Sequence, residues 1–309
     1  MRFHCSLTES FPMIAQDTYY RPQLVGSGEF PGLTMVASGK DSLRPLGGSM
    51  AITFAPREDR LRCQDGVSYN LAQFMADCGL ATNQLVMPYR QVHGSDVAVV
   101  TDLLSDVRDH LPDFQLGETW PCLFPTSYNG HVDALVSTEP ALALGVRGAD
   151  CPWALAFDPE TNVFGAAHLS WKAVSKGLVQ KFVTAMSSLG ADPARLRLYL
   201  STGAGVCCYE IRQDLILAYL NEGYSEIRKF LYAHHDATKR YFSQSGLIRM
   251  LLNRAGVQED HIEMDPRCTM CFRVDDEFAL HSSRRDRGDD PAFDVAGRNL
   301  AVINWRRSI

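Results

Sequence analysis

Val132-Asp133-Ala134-Leu135-Val136, Ala141-Leu142-Ala143-Leu144-Gly145-Val146, Trp153-Ala154-Leu155-Ala156-Phe157 and Asn162-Val163-Phe164-Gly165-Ala166-Ala167 follow one another almost without a break. Each is a nearly continuous apolar run, the pattern of a strand covered on both faces. Asp158-Pro159-Glu160-Thr161-Asn162 is rich in turn formers and predicts a hairpin between the last two. Outward from this block, Met50–Phe54, Leu85–Met87 and Val97–Val100 read as further strands, and Leu196, Leu198 and Leu200 alternate as another. Helices are predicted over Asn70–Gly79, ending at Gly79, and after His168, where Val174, Leu178, Phe182 and Met186 recur on one face. Two more read from Ile211 to Asn221 and from Ser243 to Gly256. Residues 103–130, with Pro112, Pro121 and Pro125, are expected to be a surface loop, and residues 1–45 a weakly patterned N-terminal extension. Strands and helices mix without βαβ alternation, so the expected fold class is α+β, layered with mixed sheets, in a single domain over 46–309.

The chain has 309 residues, 46% of them hydrophobic, enough for a large core. Its formal net charge of -6 and dispersed basic residues argue against nucleic acid as a partner. No run of residues is apolar enough for a membrane span, and the first residues lack the apolar stretch of a secretory leader, so a cytoplasmic protein without membrane contact is expected. Nine cysteines without framework spacing are expected to be mostly reduced.

Three residues sit at the ends of apolar runs: His93 in Gln91-Val92-His93-Gly94, Cys151 after Asp150, and His168 before Leu169-Ser170-Trp171-Lys172. Two imidazoles and a thiolate would make a three-ligand zinc site with an open position. Their spacing matches no compact zinc motif, and from the residues alone a histidine satisfied at a strand end and a small buried cysteine are the commoner readings. Asp150 beside Cys151 would orient a ligand or act as a base. Lys172, where a helix begins, is either an anion-binding cation or a solvated lysine. Arg284-Arg285 reads as an anion clamp or as a charged surface turn. Cys268-x-x-Cys271 favours a structural role, and whether Cys207-Cys208 approaches it is not readable from sequence. His234-His235-Asp236 favours a solvated loop over a metal site.

Taken in order, Gln91-Val92-His93-Gly94, Asp133-Ala134-Leu135-Val136, Gly148-Ala149-Asp150-Cys151-Pro152, Ala166-Ala167-His168-x-x-Trp171, Cys207-Cys208-Tyr209-Glu210-Ile211, Cys268-Thr269 and Ser282-Ser283-Arg284-Arg285 through Gly297-Arg298 resemble the laccase-domain, or polyphenol oxidase, family. The likeness runs from about residue 50 to 305. It implies one laccase-domain-like (cytotoxic-necrotizing-factor-like) domain whose zinc is held by His93, Cys151 and His168. It also implies a small-molecule substrate: phosphorolysis of adenosine, inosine, guanosine or methylthioadenosine, or deamination of adenosine. On that reading Asp150 and Cys151 are catalytic, and Lys172, Arg284 and Gln91 face substrate or phosphate.

The family's usual His-Ala-Gly-Trp-Arg-Gly is His168-Leu169-Ser170-Trp171-Lys172-Ala173 here. Lysine offers a point charge where arginine offers a planar fork. Gly-Pro-Ala-Ile is replaced around Ser201-Thr202-Gly203-Ala204, and the Arg-x-Gly-Gly-Val-Ser signature is not clear around Arg44–Ser49. The alternatives are a metal- or cysteine-dependent hydrolase with Cys151 as nucleophile and His168 as base, such as an editor of cell-wall precursors, or a metal-binding protein without turnover. A copper phenol oxidase ranks last, since laccase chemistry needs several copper ions and many histidines.

Overall fold

The apolar runs settle into two mixed sheets laid face to face. The computed structural model describes residues 19–50, 57–103, 105–109, 122–287 and 297–307, with the backbone alone described over 57–64. One sheet has the order Tyr19–Tyr20, Leu33–Ser38, Asn299–Trp305, Ala143–Gly148, Leu85–Val86, antiparallel except for its last pair. The other runs Ile262–Met264, Arg197–Leu200, Trp153–Phe157, Phe164–His168, Ala134–Ser137, Val97–Val100, with parallel pairs at both edges.

Side chains alternate across a strand, so a run buried on both faces feeds two cores. Trp153, Leu155 and Phe157 point between the sheets, where they meet Leu144, Val146, Ala301 and Ile303. Ala154 and Ala156 point the other way, under helices carrying Val174, Phe182, Leu215 and Leu251. On the far side, Val36, Leu300 and Val302 pack against Leu71, Phe74 and Met75 of the helix Arg57–Asp77. The result is four layers, helix–sheet–sheet–helix, in one domain of α+β class. No helix among the described residues is long and apolar enough to cross a membrane.

The strands at 97–100 and 153–157 lie where the sequence predicts them, while the 132–136, 141–146 and 162–167 runs begin two residues later, at Ala134–Ser137, Ala143–Gly148 and Phe164–His168. Several expectations are corrected. The Asn70–Gly79 helix begins at Arg57, because Val67 and Leu71 continue its buried face upstream through a polar stretch. The single helix after His168 is two, Trp171–Ser175 and Leu178–Ser188, since Gly177 takes φ +83° between them. The helix expected from Ile211 starts at Gln213, while Glu210–Arg212 pairs as a strand with Lys239–Phe242. The 103–130 loop is not wholly superficial: Cys122 and Phe124 are buried, and Val107–Arg108 pairs with Phe124–Pro125. Within the weakly patterned N-terminal segment, Leu33–Ser38 is an interior strand, held by partners far along the chain. The strand expected at Met50–Phe54 lies, beyond Met50, outside the described residues.

The 158–162 hairpin is fixed by Asp158. Its buried carboxylate accepts from the Glu160 amide (2.9 Å), the Asp192 amide (2.9 Å) and the Arg195 guanidinium (2.8 Å). Burial alone would raise its pKa, but Arg195 and the amides outweigh that and hold it below 3.8. We expect Asp158→Ala to cost about 2–3 kcal/mol in chemical denaturation near neutral pH. The folded pKa is depressed, so this contribution is complete above the unfolded value of 3.8 and is lost as pH falls through the lower folded value. The gap between wild type and variant therefore closes only in that acid window. An unchanged gap there would contradict the assignment.

Candidate metal centre

The three sequence candidates converge. Donor atoms of His93, Cys151 and His168 all lie within 4.8 Å of one another. Each comes from the end of a different segment. His168 closes the Phe164–His168 strand, Cys151 begins the turn into Trp153–Phe157, and His93 belongs to the loop before Val97–Val100. They grade from exposed His93 through half-buried Cys151 to buried His168, so one side of the trio faces solvent.

Asp133 assembles them. It is fully buried, immediately before the Ala134–Ser137 strand of the second sheet. One oxygen accepts from the His93 amide (3.2 Å) and meets His168 Nδ1 (2.8 Å), and the other accepts from the Gly94 amide (2.8 Å). With Nδ1 occupied, His168 offers Nε2 to the cluster. The His93 amide is presented to Asp133 by a left-handed backbone, φ +57°. The loop is held from behind by Arg147, whose buried guanidinium donates to the carbonyls of Pro88 (2.7 Å) and Tyr89 (3.0 Å). Gln91, expected on the substrate side, pairs its amide with both backbone groups of Arg147, at 2.6 and 2.8 Å. It therefore positions the His93 loop.

Burial pushes the Cys151 thiol up, but the His168 charge and hydrogen bonds from His168 and His93 outweigh it and bring the thiol down to about 6. Burial likewise depresses His168, yet the Cys151 thiolate and Asp133 raise it to about 9. The pair favours thiolate, the form a metal requires. A tetrahedral zinc ion spaces such donors by roughly 3.5 Å, so these residues fit one ion with an open position.

Asp150 stands at φ +84°, a strained conformation for a residue with a side chain. Its carboxylate accepts from the Thr269 hydroxyl (2.7 Å) and the Arg284 amide (2.6 Å), which pins the turn that aims Cys151. The Arg284 guanidinium lies 4.6 Å from the Tyr209 ring centre and donates to the Glu210 carbonyl. Arg285 instead braces the fold, donating to the carbonyls of Thr269, Met270 and Leu280. Lys172 is exposed, 5.6 Å from the Trp171 ring centre. The helix start expected to bind an anion is already capped, with Ser170 Oγ accepting from the Ala173 amide at 3.2 Å. Trp171, Arg212, Asp214, Leu215, Lys239 and Arg284 line an open cleft of about 350 Å³. Glu210 on its wall is engaged by Lys239 (2.7 Å) and His234 (2.9 Å), so His234 belongs to a polar network around that carboxylate.

Residues 59–306 match the family described as multi-copper polyphenol oxidoreductase laccase. The chain belongs to this family. It is 29% identical over 252 residues to a purine nucleoside phosphorylase of Deinococcus radiodurans, covering 81% of each chain. It is 25% identical over 209 residues to adenosine deaminase RL5 of an unknown prokaryotic organism, covering 67% of this chain and 72% of that one. Among solved structures, a hypothetical protein YfiH of Bacillus licheniformis shares the fold, with a TM-score of 0.69 at 21% identity over 90% of this chain and 94% of that one.

Sequence reasoning missed Asp133 as a supporting residue. Its signal was a carboxylate inside an apolar strand, a group that must find donors when buried. Replacing it by asparagine keeps the shape but loses the charge opposite His168. We expect Asp133→Asn to weaken zinc binding about 10- to 100-fold, measured by competition with a chromophoric chelator. An unchanged dissociation constant would mean that His168 is oriented by something else.

Proposed function

We propose that this protein is a zinc-dependent purine nucleoside phosphorylase that acts on small-molecule substrates. One observation carries the reading: an aromatic ring, Trp171, three residues past His168, and a guanidinium, Arg284, whose amide is held by Asp150 next to Cys151, line one cleft. A planar base suits the Trp171 face, and a phosphate suits Arg284. The relatives named for purine nucleoside chemistry support that substrate class.

Zinc, when bound by His93, Cys151 and His168, supplies a Lewis acid that polarises a substrate oxygen or nitrogen. The chain's own residues do the rest. Trp171 stacks the base and excludes water from one face. Arg284, with Lys172 next to Trp171 in the chain, holds phosphate for attack on the anomeric carbon. The ribose–base bond then breaks, leaving ribose 1-phosphate and free base. Asp150 fixes the Arg284 backbone and, through its remaining lone pairs, would take the proton of the attacking hydrogen phosphate and pass it to the departing base nitrogen, so that the free base leaves neutral. In this reading Lys172 gives a looser anion contact than a guanidinium, so Arg284 carries more of the phosphate affinity.

A second reading rests on the Cys151–His168 pair itself, whose thiol is lowered to about 6. That is the signature of a cysteine nucleophile beside an imidazole, and it supports a hydrolase that works without metal. Adenosine deamination at the same trio is a third outcome that one assay series separates from both.

Adenosine, inosine and methylthioadenosine should release free base only when phosphate is present, and chelation should abolish this. Arg284→Ala should raise KM for phosphate about 10- to 100-fold and change kcat less. Inosine from adenosine without phosphate would replace phosphorolysis by deamination. Activity that survives complete zinc removal would favour the cysteine hydrolase. Neither product from folded, zinc-loaded protein would overturn the purine reading.

A further inference from the structure

Cys207, Cys208, Cys268 and Cys271 form a second cluster, distinct from the histidine centre, their four sulfurs all within 4.8 Å of one another. Two loops meet to make the cluster. The Thr269 amide donates to the Gly203 carbonyl (2.8 Å), and the Gly205 amide donates to Cys268 Sγ (3.1 Å). Cys207 Sγ and Cys271 Sγ are 3.5 Å apart, too far for a disulfide and far closer than two unrelated loops require.

From this geometry we propose a second, structural zinc site, a tetrathiolate formed by Cys207, Cys208, Cys268 and Cys271. Zinc–sulfur bonds of about 2.3 Å in a tetrahedron place sulfurs roughly 3.8 Å apart, which fits the observed cluster. An iron–sulfur cluster would spread its four thiolates further, since bridging sulfides and more than one iron lie between them. Four thiolates around a divalent ion leave two negative charges, and the surroundings answer them. The Gly205 amide points at Cys268, and Arg285 places its guanidinium on the carbonyls of Thr269 (2.8 Å) and Met270 (3.2 Å), inside the Cys268–Cys271 turn. A side chain at Gly205 would press on Cys268 Cβ (3.1 Å) and Cys207 Sγ (3.3 Å), so the close approach of the loops needs glycine there.

The site is a clamp. It joins the loop that leads into Tyr209 and Glu210 to the turn whose Thr269 hydroxyl holds Asp150. It supplies no group to the reaction proposed above and does not rest on that reading.

Zinc content by elemental analysis of protein purified under reducing conditions tests this. Wild type should carry two equivalents per chain. Cys151→Ala should keep one, and X-ray absorption at that zinc should show sulfur ligands alone at about 2.3 Å. Cys268→Ser/Cys271→Ser should lose the tetrathiolate zinc and keep the other. Should either variant not fold, native mass spectrometry of wild type decides, because two bound zinc ions add a defined mass. One zinc per folded wild-type chain, with the four cluster thiols reacting at once with a thiol reagent, would overturn the site. So would a Cys207–Cys271 disulfide in reduced protein, or iron in the all-sulfur position.

Discussion

A carboxylate buried without charge or hydrogen-bond partners would be among the costliest features of a sheet. Asp133 is tolerated because it is saturated by donors from both neighbouring segments, and that saturation makes the centre. Its partners are the amides of His93 and Gly94 on one side and the His168 ring on the other. The sheet places Asp133 between Val97–Val100 and Phe164–His168 by pairing Ala134–Ser137 with both. Any shift of register in those pairs would move the carboxylate to the opposite face and separate the ligands.

The same logic extends to the loop geometry. His93 and Asp150 both adopt left-handed backbone conformations, and both are held there by hydrogen bonds from elsewhere in the fold. Strain concentrated at such positions is stable only when surrounding structure over-determines it. Here Arg147 and Gln91 do so for the first loop, and Thr269 and Arg284 for the second.

The central strands were legible because they are apolar on both faces and bounded by turns, and the Asp158 turn was legible for its composition. Leu33–Ser38 was not, since an isolated six-residue run becomes a strand only through partners far along the chain. Gly177 hid a break because the helical period of Val174, Leu178 and Phe182 continues across it. At the centre, spacing alone said little of His93, Cys151 and His168, and the family resemblance brought them together. Asp133 and the approach of Cys207 to Cys271 depend on register and loop packing, which sequence distance conceals. Gln91, conversely, sat in a recognisable motif, yet its side chain serves the backbone of Arg147.

The strand at the middle of the first sheet is Asn299–Trp305, with Leu33–Ser38 on one side and Ala143–Gly148 on the other. Trp305 pairs with Leu33, partners separated by most of the polypeptide. During synthesis, residues near 33 leave the ribosome long before their neighbour exists, and both flanking strands wait with an unpaired edge. The first sheet can close only after residue 305 has emerged. Completion of this sheet is thus a late event in folding, and until then its open edges are the surfaces a chaperone would cover.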